Sequence, residues 1–481
     1  MLYTDRGDIV FVSVLFLLFL LVVTIVFFVL PKSWRPTVLL LASYAFCGWI
    51  ELRALLILVL ISSIAWLMGL LIERALQKQQ TKKAKGYTIG TVVLCIAILC
   101  IFKYSSYLGD RVPEDLLNNL IIPVGLSFYV FQAISYLVDI YRQKNSAEKN
   151  FIYCSLYFAF FAKLVSGPIE KADGLLPQLK KLRTVKFWDR GRLSAALTYM
   201  LWGYFMKMVV ADRLAVTVGT LFVNPADYDS VWLLLGAFFY TIQIYCDFAG
   251  YSYIAIGVAR IFGLQLIHNF EAPYSAKSIT DFWRRWHISL SNWLRDYIYI
   301  PLGGNRKGLM RKCLNSLIVF VICGIWHGVG LNFVVWGLLH GCYIVYETVA
   351  KAKKWKFYGG RILTFMAVAF AWIFFRASDL SSALLYIKQM FTAGFHFDSF
   401  LLSAQNLQFN LIELTVVIVG IVLIAVMDEI CNHKKMHLPV LIQEKQNAVR
   451  YLVFYLLLIA IFVFGMYGPG YHTEQFIYMQ F

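Results

Sequence analysis

Apolar runs of membrane-crossing length alternate along the chain with short polar connections, most of them basic. A crossing helix needs about 20 mostly apolar residues. Residues 9–30, 54–72, 86–102, 116–138, 231–246 and 451–467 read as such segments. Shorter or interrupted runs occupy 37–50, 151–162, 193–206, 214–223, 248–259, 362–375 and 414–427. Several are too short to cross alone, which predicts tilted, paired or re-entrant helices. No useful length shows period-2 alternation, so no strands are predicted. The pattern predicts an all-α polytopic membrane protein, a single integral membrane domain over 1–481 with about a dozen membrane helices.

Composition supports this reading. Hydrophobic residues make up 60% of the 481 positions and charged residues 15%, against roughly 25% charged in a soluble domain. Lys and Arg number 44 against 27 Asp and Glu, a formal charge of +17. In a soluble chain that excess would suggest nucleic acid. Here the cations sit between apolar runs, where they set orientation and meet anionic lipid or an anionic substrate, so no nucleic-acid partner is expected. The basic loops are 74–85, 142–149, 171–192, 268–312 and 351–361; the acidic or neutral ones are 109–115, 224–230 and 397–408. With the first set in the cytoplasm, both termini fall outside, although one re-entrant segment would reverse the C-terminal assignment. The first run lacks a basic n-region, because Asp5, Arg6 and Asp8 precede it, and reads as a span, not a removable signal. Nine cysteines without a CxxC pair or Cys/His metal spacing predict neither disulfides nor a metal site. His433 and His437 are four apart in a basic loop without a carboxylate ligand, and no metal is expected there. No internal repeat is visible, and the segment after His268 has no counterpart in the first half, which argues against an inverted-repeat transporter.

Two stretches stand apart. Residues 268–312 are too polar to span and too aromatic for a solvated linker: Trp283, Trp286, Trp293, Tyr297 and Tyr299 interleave with Arg284, Arg285, His287, Arg295 and Asp296. Such a segment suits the headgroup region on the cytoplasmic side. Ser278 with Asp281 can start a helix, and the turn Pro301-Leu302-Gly303-Gly304 can end one. A surface helix that merely anchors the bundle has little use for His287. Next, residues 313–346 hold no Asp, Glu, Lys or Arg and are cut by five glycines, including Gly324 and Gly337. They are too long for one straight span and carry Gly324-Ile325-Trp326-His327-Gly328, then His340. Ionisable groups at membrane depth are costly and usually face a cavity and work, and a near-neutral imidazole there can take a proton from a hydroxyl. The alternative for each is a core histidine bonded to a backbone carbonyl. Asp247, Arg376 and Glu170 are further buried polar candidates; for Asp247 and Arg376, pairing that locks the bundle is the expected role. Gly167-Pro168, just before Glu170, marks a helix break that can line a cavity.

The run DFWRRWHISLSNWLRDYIYIPLGGNR, then GIWHG and WGLLHG, resembles the membrane-bound O-acyltransferase family, in particular its bacterial alginate O-acetylation branch. LVSGPIE, YCDFAGYSYIAIG, FFRASDLSSAL and the closing FIYMQF follow the same branch in order, so the likeness covers most of the chain. The resemblance implies a ring of helices around a central tunnel, with His327 as the membrane-embedded catalytic histidine and His287 as the second histidine of the site. Candidate tunnel or substrate positions are Trp326, Asp247, Arg284, Arg285, Trp286, Asn292, His340 and Glu170. Tyr253 stands where many relatives carry an acid, Leu331-Asn332 replaces an aromatic-rich stretch, and Met479 replaces an aromatic; these departures bear on substrate details.

What the resemblance implies functionally is transfer of an acetyl group from a cytoplasmic thioester, with no bound cofactor and acetyl-CoA as co-substrate, for O-acetylation of an exported polysaccharide. It further implies a multi-pass protein of the cytoplasmic (inner) membrane, with a serine-esterase-like extracytoplasmic partner, the polysaccharide synthesis and export machinery, and membrane lipids around it. D-alanyl transfer to teichoic acid from a carrier-protein thioester is the alternative within the same chemistry. A transporter or flippase with a histidine proton relay is the alternative of another class.

Overall fold

The computed structural model describes residues 11–105, 122–355, 360–395 and 410–467, with 397, 402, 403 and 407. The expectations for Met1–Asp8, the loop at 109–115, the start of the 116–138 run, most of 397–408 and the terminal FIYMQF lie outside the described residues. The described chain is helical, with no strand among the described residues. Its contacts divide it into two compact units, 1–197 with 255–267 and 198–254 with 268–481.

The first unit contains α1 (Val14–Val29), α2 (Arg35–Ile50), α3 (Leu52–Gln77), α4 (Thr81–Tyr104), α5 (Leu126–Tyr141), α6 (Phe151–Ala159) and α7 (Ala172–Lys180). Ser13 caps α1, its hydroxyl accepting the Phe16 N–H at 3.1 Å. The 151–162 run does not form one helix: α6 stops at Phe160, and a single turn, Phe161–Leu164, follows before the Gly167-Pro168 break. In this stretch the Lys163 ammonium is fully buried and donates to the Gln132 Oε1 at 2.6 Å, so the break is held by polar bonds that lipid could not supply.

Helix α8 (Arg190–Tyr204) leads into the second unit. It continues through a π-helical turn, Phe205–Ala211, into α9 (Asp212–Val223), so the two runs predicted at 193–206 and 214–223 form one continuous rod. Likewise 231–246 and 248–259 belong to the single helix α10 (Ser230–Ile261). Asp247 does not break α10 because its charge is paired. The π turn aims Lys207 Nζ at the Asp247 carboxylate at 2.6 Å and at Asp212 at 2.7 Å. Glycines allow the approach: a Cβ on Gly203 would stand 2.6 Å from the Gly250 carbonyl oxygen. The Arg376 guanidinium lies over the Phe222 ring, 5.6 Å from the centroid.

The rest of the second unit comprises α11 (Ile279–Arg285), α12 (Ile288–Leu294), α13 (Gly308–His327), α14 (Leu331–Ala352), α15 (Arg361–Arg376), α16 (Leu380–Thr392), α17 (Leu411–Lys434), α18 (Leu438–Gln443) and α19 (Asn447–Phe464). Among the described residues seven helices are long and apolar enough to cross a membrane: α3, α4, α10, α13, α14, α17 and α19; α1 and α5 are shorter apolar helices. In α10, 72% of the apolar window is buried inside the protein, against 17% in α17 and 11% in α19. The first is therefore a core helix, and the other two present their apolar faces outward to lipid.

Candidate active site

The charge-free stretch becomes a tight helical hairpin, α13 and α14, turned by Gly328-Val329-Gly330. Glycines set its closeness. A Cβ on Gly324 would meet the Phe333 carbonyl oxygen, and one on Gly337 the Phe320 carbonyl oxygen, so only hydrogen fits at these crossings. Asn332, at the start of α14, donates from Nδ2 to the Phe374 and Ala377 carbonyls at 3.2 and 2.9 Å, which ties the hairpin to the end of α15.

His327 is the last residue of α13 and is 2% exposed. Its ring sits among aromatic edges and faces: Trp326 at 4.7 Å, Trp336 at 5.1 Å and 90°, and Phe375 at 5.2 Å. Aromatic walls exclude water yet offer polarised ring edges to an imidazole.

His287 does not lie on a surface helix. It is the joint between α11 and α12, with φ 43° and ψ 53°, a left-handed conformation that costs a non-glycine residue about 1–3 kcal/mol. The surroundings impose it. The Asn269 carbonyl accepts the Ile288 N–H at 3.0 Å, its Oδ1 accepts the Ser289 N–H at 3.1 Å, and the Glu271 N–H donates to the Arg285 carbonyl at 3.0 Å. The start of α11 is fixed as well. Ser278 Oγ accepts the Asp281 N–H at 3.1 Å, as the sequence predicts, and the Glu347 carboxylate of α14 accepts the Ile279 N–H, the Thr280 N–H and the Thr280 hydroxyl at 2.5, 3.1 and 2.5 Å. His287 is fully buried, edge-on to Phe248 at 4.7 Å and 6.3 Å from Trp326. Burial pushes its imidazole down to about 3, so the ring is neutral at physiological pH. Trp326 is thus a wall shared by both histidines.

His340 is also buried, and its Nδ1 accepts the Trp283 indole N–H at 3.2 Å. Trp336 packs between it and His327, with centroids 5.1 Å from each. Trp286 is core, packed on Phe270, Phe282 and Trp372. Arg285 is committed to structure, bonded to Asp281 at 2.9 Å and Asn432 at 2.7 Å. Asp247 accepts from the Lys207 ammonium at 2.6 Å. Glu170 belongs to the first unit, where its Oε1 accepts the Ile267 N–H at 2.6 Å and burial raises its carboxyl to about 7.

Two cavities border the α11–α12 segment. One of 520 Å³ is lined by Arg284, Asn292, Arg295, Lys312 and Lys351, with Trp283 and Phe320 in its wall. Its one carboxylate, Glu347, is occupied in capping α11. The other, of 420 Å³, is lined by Arg284, Arg285 and Lys435 together with Glu271, Asp281 and Asp428. Arg284, exposed, faces both; neither cavity is lined by His327 or His287. Sequence reasoning missed the site's aromatic frame, Trp336, Phe375, Phe248 and Trp283, and the cap Glu347. The four aromatics lie in the quoted motifs, Trp336 in WGLLHG, Trp283 in DFWRRWHISL, Phe248 in YCDFAG and Phe375 in FFRASDL, whereas Glu347 lies in none of them.

Residues 13–378 match the sequence model of MBOAT, the membrane-bound O-acyltransferase family. Similar proteins include a probable alginate O-acetylase AlgI of Pseudomonas putida, 34% identical over 82% of this chain and 82% of that protein. A peptidoglycan O-acetyltransferase of Helicobacter pylori is 32% identical over 75% of this chain and 73% of its own length. A teichoic acid D-alanyltransferase of Bacillus subtilis is 28% identical over 60% and 75%. A family match across three quarters of the residues, on a multi-pass helical chain with histidines buried at its centre of aromatic packing, establishes that this protein belongs to the membrane-bound O-acyltransferase family.

Proposed function

We propose that this O-acyltransferase moves an acetyl group from a cytoplasmic thioester, most simply acetyl-CoA, across the inner membrane for O-acetylation of an exported polysaccharide. The observation that carries the reading is the pair of buried histidines, His327 and His287, sharing the Trp326 wall. In this reading neutral His327 takes the proton of the acceptor hydroxyl as its oxygen attacks the thioester carbonyl. The carbon–sulfur bond breaks, the thiolate leaves toward the cytoplasm, and the proton on His327 returns to it as the ester departs. His287 orients or polarises the reactants. Positioned acid–base help contributes about 10²–10⁴ in rate, and holding both reactants in a water-poor site adds a proximity gain. The basic cavity beside α12 supplies cations where the phosphates of such a donor would rest, and both termini then lie on the extracytoplasmic side. A serine-esterase-like partner and the polysaccharide export machinery complete delivery.

The names of the relatives support acetyl over D-alanyl transfer: the O-acetylating relatives cover 82% and 75% of this chain and the D-alanyl relative 60%. The test reconstitutes the full chain in nanodiscs and offers labelled acetyl-CoA or an aminoacylated carrier protein, with surface glycans of cells with and without the gene compared by mass spectrometry. Acetyl transfer by the wild type and none by a folded His327→Ala variant is expected. Glycan acetylation retained in His327→Ala would remove that residue from the chemistry.

A further inference from the structure

The segment from Leu182 to Asp189 takes no part in the proposed acyl-transfer chemistry. It follows α7 and has only one short turn, Leu182–Thr184, yet two arginines fix its backbone. Arg35, 4% exposed, donates from Nη1 to the Leu182 carbonyl at 3.2 Å and to the Val185 carbonyl at 2.7 Å. Arg192 donates from Nη2 to the Lys186 and Phe187 carbonyls at 2.6 and 2.9 Å. Its guanidinium also lies 5.7 Å from the Phe28 ring, against which Phe187 packs at 5.2 Å. This rigid loop presents Phe187 and Trp188 to the outside at 65% and 66% exposure. Large rings held outward side by side on a pinned loop suit an interaction or membrane surface.

The chemistry around those rings identifies the partner. Lys181, Arg183, Lys186 and Arg190 are all exposed, with Asp189 the one acid among them. At the root of the loop a cavity of 420 Å³ is lined by Lys181 and Gln265, an ammonium and an amide suited to phosphate oxygens, while the Gln178 amide and the Thr184 hydroxyl there donate to backbone carbonyls. Neighbouring α1 has 16 residues, about 24 Å at 1.5 Å per residue, and a bilayer core is about 30 Å thick, so the interface must come to the protein near its ends. Amphipathic rings at headgroup level beside clustered cations are how a protein holds an anionic leaflet.

We propose that the Leu182–Asp189 loop and the cavity at its root bind the headgroup of an anionic phospholipid, with Phe187 and Trp188 seated in the interface. The inference does not rest on the acyl-transfer reading. The test is native mass spectrometry of the full chain in detergent, titrated with phosphatidylglycerol or phosphatidylcholine. Wild type should retain phosphatidylglycerol over phosphatidylcholine, and the preference should shrink in 0.5 M salt. Each cation removed near an anionic surface is worth about fivefold, so Lys181→Gln/Arg183→Gln/Lys186→Gln should lose phosphatidylglycerol at least about tenfold with phosphatidylcholine unchanged. A control in another exposed basic stretch, Lys82→Gln/Lys83→Gln/Lys85→Gln, should lose several-fold less phosphatidylglycerol than the loop variant. Equal retention of the two lipids by wild type, a preference undiminished by salt, or equal losses in the charge variant and the control would each overturn the proposal.

Discussion

Gly324→Ala tests whether the helical hairpin sets the position of His327. A Cβ at Gly324 would lie 3.1 Å from the Phe333 carbonyl carbon and 3.4 Å from the Val334 Cα, with the Phe333 oxygen nearer still. Carbon pairs rest at about 3.5–4.0 Å, so α13 and α14 must separate by about 0.5–1 Å. No side chain can yield, because the obstacle is backbone. Overpacking of this kind costs about 1–3 kcal/mol, and His327 lies three residues further along the displaced helix. A misplacement of about 1 Å at a reacting group costs about 10²-fold in rate. The assay pairs the unfolding midpoint with single-turnover acyl transfer, using Gly90→Ala in α4 as control, where an added Cβ meets nothing within 4 Å. The expected result is a lowered midpoint and about a hundredfold slower transfer for Gly324→Ala, with Gly90→Ala like wild type. A Gly324→Ala protein with wild-type rate and midpoint would refute the claim that backbone contact in the hairpin fixes the histidine.

Lys207→Met leaves Asp247 and Asp212 buried without their cation and should destabilise the protein by about 3–5 kcal/mol; partial recovery in Lys207→Met/Asp247→Asn, read by thermal unfolding, checks that the cost is the stranded charge. Glu347→Gln removes the carboxylate that accepts three hydrogen bonds at the start of α11 and should cost about 1–2 kcal/mol, with slower transfer because α11 leads into His287. For His287, the unfolded imidazole titrates near 6.5 and the folded one near 3, so below about pH 6.5 the unfolded state binds the extra proton. Its contribution to stability is therefore full above about 6.5 and falls as pH drops toward 3; the unfolding midpoint of wild type should decline more steeply over pH 6.5 to 4 than that of His287→Asn, and an equal slope would contradict the burial.

The parts of this protein that were legible from its residues are those fixed by local pattern. Charge-free length and glycine spacing in 313–346 excluded one straight span, and Ser278 with Asp281 marked the start of α11. What escaped were effects that need a partner distant in the chain. Asp247 looked like an interruption between two runs because nothing nearby reveals that Lys207, forty positions earlier, neutralises it. The left-handed turn at His287 is equally invisible, since it is imposed by Asn269 and not by any glycine or asparagine at the turn itself. Motif likeness singled out both histidines as candidates; the aromatic shell that makes them neighbours of one indole is a property of packing alone.

That shell also separates the three buried histidines. An indole N–H can only donate, so the Nδ1 of His340 that receives the Trp283 hydrogen bond carries a lone pair and no proton. Taking up a proton at that atom would break the bond, in a place where an unmatched indole N–H is costly. His340 is thereby committed through Trp283 on one side and holds Trp336 on the other, while Trp336 packs edge-on to His327. A ring already engaged in this way is a poor base at that atom, and what it does in the structure is pack against Trp336. Of the two histidines in GIWHG and WGLLHG, the second is thus the one whose Nδ1 is held by the Trp283 indole.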